Sequence, residues 1–310
     1  VLVNPGALGN SILFLVGRLF NIKVIGIGHA EELTLPLYGK GIKNFIKKCF
    51  LKFSYKKASG FVVVCHFCRD ILVKELDVNE DLIDVIPSCL NPEKIVHNKK
   101  KNSSEINSVI SVGRLIERKG FHYLIKAISN IRTEIKDISL NIVGSGPYGE
   151  TLQEMVDELK AGEYIKIHGE VSDKKLSDLY HKSTLFVLAN SMLDNGDTEG
   201  CPSVFSEAMG HRLPVIGGTG AGIDTVIISG ETGFITDCTN IKDLEESIKT
   251  ILNNQNLYNS MVENGQKKLK RDHDPKKAGI NFGYTIQRVV DKLPAGDYQK
   301  KFNQGVPSIR

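Results

Sequence analysis

Two cations and two carboxylates stand in short glycine-containing segments, where their side chains could act on a bound ligand. Arg114 and Lys119 belong to the segment Gly113–Gly120, which joins a predicted strand to a predicted helix. A guanidinium fork and an ammonium at a helix start suit a diphosphate, because the unpaired N–H groups of the helix also attract anions. Two solvated surface cations are the alternative interpretation of this loop.

The carboxylates of Glu199 and Glu207 flank the start of another predicted helix. Pro202 is expected in the first turn of that helix, where its missing N–H costs no hydrogen bond. Glu199 would then lie in the preceding loop and Glu207 within the helix. Both carboxylates could accept hydrogen bonds from a ligand rich in hydroxyl groups. The alternative is an acidic helix start that only interacts favourably with the helix dipole.

Two further motifs suggest other chemistry. Gly144–Gly149 matches the G-x-G-x-x-G pattern of a dinucleotide site. It follows the second predicted strand of its domain rather than the first, and Pro147 removes one N–H, so a structural glycine turn is favoured. Cys65 and Cys68 have metal or redox spacing, but a zinc site would need a second such pair. We therefore expect reduced thiols and no metal.

The elements that must position these residues follow from the alternation of apolar runs and amphipathic stretches after residue 107. This alternation predicts a parallel α/β sheet, whose ligands bind where the carboxyl ends of strands meet helix starts. The predicted strands are 108–112, 140–143, 164–168, 185–189, 214–216 and 233–236. The predicted helices are 121–131, one ending near 159, one capped by Asp173, 202–211 and 275–290.

The sequence predicts two domains and a C-terminal tail. Predicted strands at 24–27, 61–64 and 85–87 belong to a first Rossmann-like domain, of which only about half precedes a polar linker at 98–107. Since the chain opens on Val1 without a leader-like segment, we expect it to begin within a domain. The predicted domains are residues 1–103 and 104–274. They are followed by a helix and tail at 275–310, which in one arrangement crosses back to the first domain.

Composition excludes several functional classes. A net charge of +4 and a pI near 8.6 do not fit a nucleic-acid-binding profile. No apolar run reaches the ~18–20 residues needed to span a bilayer. The segment 41–54 predicts a basic amphipathic helix, which either packs on its own sheet with solvated lysines or lies on an anionic membrane surface. The sequence favours the packed helix.

Six sequence blocks occur in one order between residues 109 and 236. They are V-G-R-x4-K-G, L-N-I-V-G-S-G-P, H-G-E-V-S-D, E-G-C-P-S-V-F-S-E-A-M, P-V-I-G-G and G-E-T-G-F. Together they resemble retaining glycosyltransferases of family 4, the group 1 enzymes, with the E-x7-E block as the most specific. The resemblance implies the α/β GT-B fold, in which two Rossmann-like domains face a cleft, here with a truncated N-terminal domain.

The resemblance also implies roles for individual residues. Arg114 and Lys119 would neutralise the donor diphosphate and stabilise the leaving nucleotide. Glu199 would lie at the transferred sugar, and Glu207 would bind the ribose hydroxyls. The other implied positions are His29 near the reaction centre, Val171 near the base, and the donor-binding residues Gly113, Gly200, Cys201, Pro202 and Ser203.

The implied function is transfer of a sugar from a UDP- or GDP-linked donor to a glycan or lipid-linked acceptor, with retention of anomeric configuration and without a metal or other cofactor. Such a hexosyltransferase would serve polysaccharide or glycolipid biosynthesis in the cytoplasm. Peripheral contact with the inner membrane face through residues 41–54 stays open, and no nucleic acid partner is expected. Two other functions also stay open: a non-catalytic nucleotide-sugar-binding fragment, and a sugar-nucleotide epimerase of the same architecture.

Overall fold

The structure, a computed structural model, describes residues 1–4, 8–38, 41–90, 107–220 and 222–291. The chain divides into two compact units. The first unit contains Val1–Ser88, Leu193–Cys201 and the chain from Pro275, and the second contains Cys89–Met192 and Pro202–Asp274. The expected boundary at residue 103 lies outside the described residues. No pattern in the sequence predicts that Leu193–Cys201 groups with the first unit.

The first unit is built on a four-stranded parallel sheet with the strand order β1-β2-β3-β4. A sequence pattern could not reveal β1, because two residues are too few to show a period. The strands are β1 (Leu2–Val3), β2 (Ile25–Gly28), β3 (Gly60–Val63) and β4 (Ile83–Val85). The helices that follow β1, β2 and β3 are α1 (Leu8–Leu19), α2 (Glu31–Tyr38), α3 (Ile42–Tyr55) and α4 (His66–Asp70).

Three aromatic rings form the centre of the first unit's core. Phe14, Tyr55 and Phe61 are fully buried, with ring centroids 5.4–5.5 Å apart. Burial of each side chain contributes roughly 1.5–3 kcal/mol. These contacts join α1 and α3 to β3, so the helices cover one face of the sheet.

Helix α3 buries a different face from the one its apolar residues predicted. Leu51, Ser54 and Tyr55 face the core. Ile42, Phe45 and Ile46 are 74%, 66% and 62% exposed, so the expectation that the apolar stripe packs on the sheet is wrong. Lysines predicted to be solvated reach acidic partners within the unit: Lys48 with Glu75, and Lys52 with Asp77.

The second unit contains a six-stranded parallel sheet, and the six strands predicted for it are confirmed. The spatial order is β10-β9-β8-β5-β6-β7, the doubly wound order of a Rossmann domain. The strands are β5 (Ser108–Val112), β6 (Ser139–Val143), β7 (Ile165–Ile167), β8 (Leu185–Leu188), β9 (Val215–Gly217) and β10 (Gly233–Ile235).

The helices of the second unit cover this sheet with apolar stripes. In α5, Phe121, Leu124, Ile125, Ile128 and Ile131 are buried at helical spacing. These helices are α5 (Phe121–Ile131), α6 (Gly149–Glu158), α7 (Asp173–Lys182), α8 (Ser203–Gly210), α9 (Ile223–Val226), α10 (Ile241–Leu252) and α11 (Gln255–Asp272). The last helix, α12 (Pro275–Asp291), belongs to the first unit.

Two predicted helix starts need correction. The cap of α7 is Ser172, whose Oγ accepts a hydrogen bond from Lys175 N, so Asp173 is the first helical residue. Pro202 is the residue before α8 rather than part of its first turn, with φ −63° and ψ 115°. An extended ψ places proline at the cap, and Ser203 begins the helix. Among the described residues, no helix is both long and apolar enough to cross a membrane.

Gly120 provides a test of how tightly the second unit is packed. Its φ is 66°, and a Cβ atom there would lie 1.9 Å from the carbonyl oxygen of Ala189. We predict that Gly120→Ala lowers the free energy of unfolding by about 1–3 kcal/mol, because the backbone must move apart. Chemical denaturation measures this change. Gly162→Ala is the control, since a Cβ there meets nothing within 4 Å; equal stability losses in both variants would contradict the packing.

Candidate functional site

The strand order of the second unit creates a switch point between β5 and β8. From these neighbouring strands the chain continues to opposite sides of the sheet, toward β6 and toward β9. The loops that leave their carboxyl ends therefore diverge, and ligands of open α/β sheets bind in the resulting crevice. The loop after β5 is Gly113–Gly120, and the loop after β8 begins at Ala189.

The loop after β5 turns back, so that the side chain of Lys119 lies over the end of β5. Gly113 N donates to Val143 O (3.0 Å), which continues the strand pairing into the loop. Lys119 closes a short helical turn and is only 8% exposed. Its Cε lies 3.6 Å from the position of a Cβ on Gly113. The structure thus brings Gly113 and Lys119 together, while Arg114 is exposed on the same loop.

Two buried polar residues at this switch point were missed by the sequence analysis. Arg118 is buried beside Lys119, and its carbonyl accepts a hydrogen bond from Ser191 N (3.0 Å), which ties the two loops together. Asn190, directly after β8, is fully buried, and its Oδ1 accepts from Gly218 N (3.3 Å). Its Nδ2 has no hydrogen-bond partner among the described residues. A buried amide donor at the end of a strand is a candidate ligand contact.

Glu207 lies on α8, where Ser203 Oγ donates to Glu207 Oε1 across 3.5 Å. Beside Glu207 is a cavity of about 10 Å³, with Ser177, Tyr180 and His211 in its wall. That volume holds about one water molecule, so this cavity does not enclose a sugar. The Tyr180 ring stacks on His211 with centroids 4.7 Å apart, and burial raises the pKa of the Tyr180 hydroxyl.

The loops after β6 and β7 hold Val171 at the same edge of the sheet. Gly144 N donates to Gly169 O (2.9 Å), and Ser145 Oγ donates to Glu170 (2.7 Å). Val171 follows directly and is half-buried. The predicted positions at Gly113, Arg114, Lys119, Val171, Pro202, Ser203 and Glu207 therefore all belong to the second unit.

The first unit contains the remaining predicted positions: His29, Glu199, Gly200 and Cys201. A Cβ on Gly200 would lie 1.8 Å from the carbonyl oxygen of His29, so only glycine permits this approach. Cys201 packs against the core of the unit. The structure thus brings the peptide after Glu199 directly onto the residue that follows β2.

His29 is held by the carboxylate of Glu32. Glu32 Oε1 accepts a hydrogen bond from His29 N and lies 3.2 Å from His29 Nδ1. A carboxylate can only accept, so Nδ1 carries the proton and Nε2 remains as the acceptor of the neutral ring. The adjacent Ala30 has φ 118°, a strained conformation that costs about 1–3 kcal/mol. Leu33 N and Thr34 N fix it by donating to the Ala30 carbonyl.

The interaction between His29 and Glu32 shifts the pKa of each group in the direction that favours its charged form. The hydrogen bond with Glu32 raises the pKa of His29 and outweighs the opposing effect of burial. For Glu32, burial raises the pKa, but the hydrogen bonds from His29 and the backbone together lower it. The imidazolium–carboxylate form is therefore stabilised in the folded chain.

The pair Cys65–Cys68 opens α4 with its two sulfur atoms 3.2 Å apart, and both residues are buried. The hydrogen bond with Cys65 and burial raise the pKa of the Cys68 thiol, which makes it a poor nucleophile. No group of three or more potential metal ligands occurs in the part of the chain that the structure describes.

Comparison with known proteins places the chain in a family. The family model of glycosyl transferases group 1 matches residues 93–268, more than half of the chain. The chain belongs to this family. The matched range contains the second unit's switch point and every predicted position except His29.

Two curated relatives illustrate the similarity of this group 1 glycosyltransferase. A Haemophilus influenzae protein described as an uncharacterized glycosyltransferase is 29% identical over 177 residues, 57% of this chain and 48% of the relative. A GDP-mannose-dependent alpha-(1-6)-phosphatidylinositol monomannoside mannosyltransferase of Mycolicibacterium smegmatis is 30% identical over 145 residues, 46% and 38% of the two chains. The matches thus span about half or less of these relatives.

Solved structures confirm the fold class. HepE of Anabaena in complex with UDP has a TM-score of 0.75 at 16% identity, over 92% of this chain and 77% of HepE. Sucrose-phosphate synthase of Thermosynechococcus elongatus has a TM-score of 0.73 at 18% identity, over 91% and 72% of the two chains. These neighbours are GT-B glycosyltransferases, so the predicted GT-B class is confirmed.

The His29–Glu32 pair makes a testable prediction. Replacing Glu32 by Gln removes the carboxylate, so the pKa of His29 falls, which an NMR titration of the ring measures. The neighbouring Glu31→Gln is the control, because Glu31 is not among the groups that act on His29.

The stability of the folded chain should depend on pH through the same two residues. The contribution of His29 is complete below its ordinary pKa of 6.5 and is lost as pH rises through the raised folded value. The contribution of Glu32 is complete above pH 4.5 and is lost as pH falls through the lowered pKa of the folded chain. The loss of thermal stability in E32Q is therefore largest between pH 4.5 and 6.5. An unchanged His29 pKa would contradict the assignment.

Proposed function

We propose that the chain transfers a sugar from a nucleotide diphosphate sugar to an acceptor hydroxyl, with retention of the anomeric configuration. One observation carries this proposal: the largely buried ammonium of Lys119 is held over Gly113 at the switch point, at the carboxyl end of β5. A cation in such a place meets a diphosphate where open α/β sheets bind their ligands. Arg114 extends the positive charge of the same loop.

The proposed chemistry depends on charge. When the bond between the sugar and the phosphate lengthens, negative charge develops on the leaving diphosphate. Lys119 and Arg114 stabilise that charge, and Lys119 does so more strongly because a buried cation is less screened by water. In this proposal the two side chains provide the positive charge that a metal provides in other transferases. No residue is assigned as a nucleophile.

The other positions also receive roles in this proposal. Glu207 on α8 accepts hydrogen bonds from the ribose hydroxyls, and Asn190 donates its unpartnered amide to the donor. Glu199 and the backbone of Gly200 contact the transferred sugar. His29 lies against Gly200 within the first unit, and its Nε2 forms a hydrogen bond with a hydroxyl group of the sugar or the acceptor.

The donor is linked to UDP or GDP in this proposal, and the comparisons with known proteins support each nucleotide. HepE was solved with UDP, and the mycobacterial relative is named as GDP-mannose-dependent. The names of relatives from Mycolicibacterium smegmatis and Saccharomyces cerevisiae refer to phosphatidylinositol-based acceptors. These names support a lipid-linked acceptor in this proposal. Binding without transfer is the alternative for a chain that spans about half of its curated relatives.

The donor site is tested by binding. We predict that a panel of UDP- and GDP-sugars raises the melting temperature of the wild-type chain with at least one member. Lys119→Met keeps the aliphatic stem but removes the charge, so it should weaken binding at least about tenfold, as expected for the loss of a charge-assisted hydrogen bond. Titration calorimetry measures the loss on folded protein.

Lys126→Met is the matched control, since Lys126 is exposed on α5 of the same unit. It should bind like the wild-type chain. Equal affinity in the Lys119 and Lys126 variants would contradict the phosphate assignment. Binding without product formation on any lipid acceptor would favour the non-catalytic alternative.

A second proposal concerns membrane contact through α3. Ile42, Phe45 and Ile46 form an exposed apolar face on this helix. Lys43 and Lys47 lie beside them, and neither has an ion pair with another described residue. An apolar face with unpaired cations is typical of helices that lie on anionic membranes.

We predict that Phe45→Ser and Ile46→Ser together reduce co-sedimentation of the chain with anionic vesicles, because the apolar face can no longer insert. Leu159→Ser is a control, since Leu159 is an exposed apolar residue of the second unit. Wild-type co-sedimentation of the α3 double variant would remove this proposal and leave the donor site untouched.

A further inference from the structure

The first unit contains a cavity of about 450 Å³ at the amino ends of its strands. Lys23, Ser59 and Leu82 lie in its wall, just before β2, β3 and β4. His29 follows β2 at the opposite, carboxyl end of the same sheet. The cavity is therefore separate from the residues assigned to transfer, and its volume suits a small ligand.

Cations dominate the charged groups of this cavity. Arg18, Lys23, Lys57 and Arg288 line it, and among the described residues Asp81 is the one acidic residue in its wall. The backbone of this wall is fixed, because Arg288 is only 2% exposed and donates to Asp81 O (2.9 Å) and Asp84 Oδ2 (2.5 Å). Its Nε has no hydrogen-bond partner among the described residues.

The three other cations differ from four lysines of the same unit that have acidic partners. Arg18, Lys23 and Lys57 form no ion pair with another described residue. The contrast is with Lys48–Glu75 (2.7 Å), Lys52–Asp77 (2.8 Å), Lys56–Asp77 (3.1 Å) and Lys74–Asp70 (2.6 Å). Cations without acidic partners that line one cavity raise its positive potential, which favours the entry of an anion.

The rim of the cavity is apolar on one side. Ile22 lines it and is half exposed, and Leu19 and Phe20 at the end of α1 are more exposed still. Phe53 of α3 lies beneath the ammonium of Lys57, whose Nζ is 5.5 Å from the ring centroid. An anion-binding cavity with an apolar rim fits the polar end of an amphiphile as well as a free anion.

We propose that this cavity binds a phosphate ester of about the size of glycerol phosphate, in which the phosphate meets Arg18, Lys23 and Lys57. The asparagine amides of Asn21 and Asn79, which also line the cavity, face the hydroxyl groups of the ester. The same chemistry occurs in a free phosphorylated metabolite and in the headgroup of an anionic phospholipid. This site does not depend on the proposed transfer reaction.

The experiment uses glycerol 3-phosphate as a soluble probe and vesicles of phosphatidylcholine with or without phosphatidylglycerol as a membrane probe. The test variant is K23Q/K57Q, and the control is K48Q/K74Q, which removes the same net charge from lysines that already have partners. Binding of glycerol 3-phosphate by calorimetry should weaken at least about tenfold in the test variant and not in the control.

The two sources of the phosphate give different results. If the wild-type chain binds glycerol 3-phosphate and only K23Q/K57Q loses that binding, the ligand is a free metabolite. Selective loss of binding to phosphatidylglycerol vesicles, with no binding of the soluble ester, identifies a lipid headgroup. Failure of both probes with the wild-type chain, or equal losses in both double variants, would overturn the proposal. Binding of nucleotide sugars should be unchanged in both, which separates this site from the donor site.

Discussion

At the switch point of the second unit, a Cβ atom on Gly120 would lie 1.9 Å from the carbonyl oxygen of Ala189. This contact brings the end of the β5 loop against the start of the β8 loop. The hydrogen bond from Ser191 N to Arg118 O also joins these two loops. Because both loops are held, the side chain of Lys119 packs against Gly113 at the end of β5. The position of the cation therefore follows from backbone packing rather than from its own flexible stem.

The first unit uses the same kind of constraint. Gly200 allows the peptide after Glu199 to rest on the His29 carbonyl, and Glu32 fixes the imidazole of His29 through two contacts. The Gly200 peptide is positioned by a main-chain carbonyl, and the imidazole of His29 is positioned by a carboxylate. Such positioning leaves little entropy to lose when a ligand binds, which favours specificity over simple charge attraction.

Much of the second unit was predictable, because β-strand and helix periods are local. The helix 121–131 and the strand 108–112 have the predicted bounds. The burial of Arg118 and Asn190 was not predictable, since it depends on loops that meet only in the folded sheet. The face that α3 buries was also not predictable, because it depends on what packs against the helix, and the partners Glu75 and Asp77 of its lysines lie far away in the sequence.

The central claim is that Lys119 holds the diphosphate of a sugar donor at the carboxyl end of β5. A crystal structure of the chain with bound UDP or GDP, whichever the binding panel selects, tests it most directly. The account predicts a phosphate oxygen within hydrogen-bond distance of Lys119 Nζ, with the ribose at Glu207. Density for the nucleotide elsewhere, with Lys119 still packed on Gly113 and no phosphate beside it, would contradict the claim.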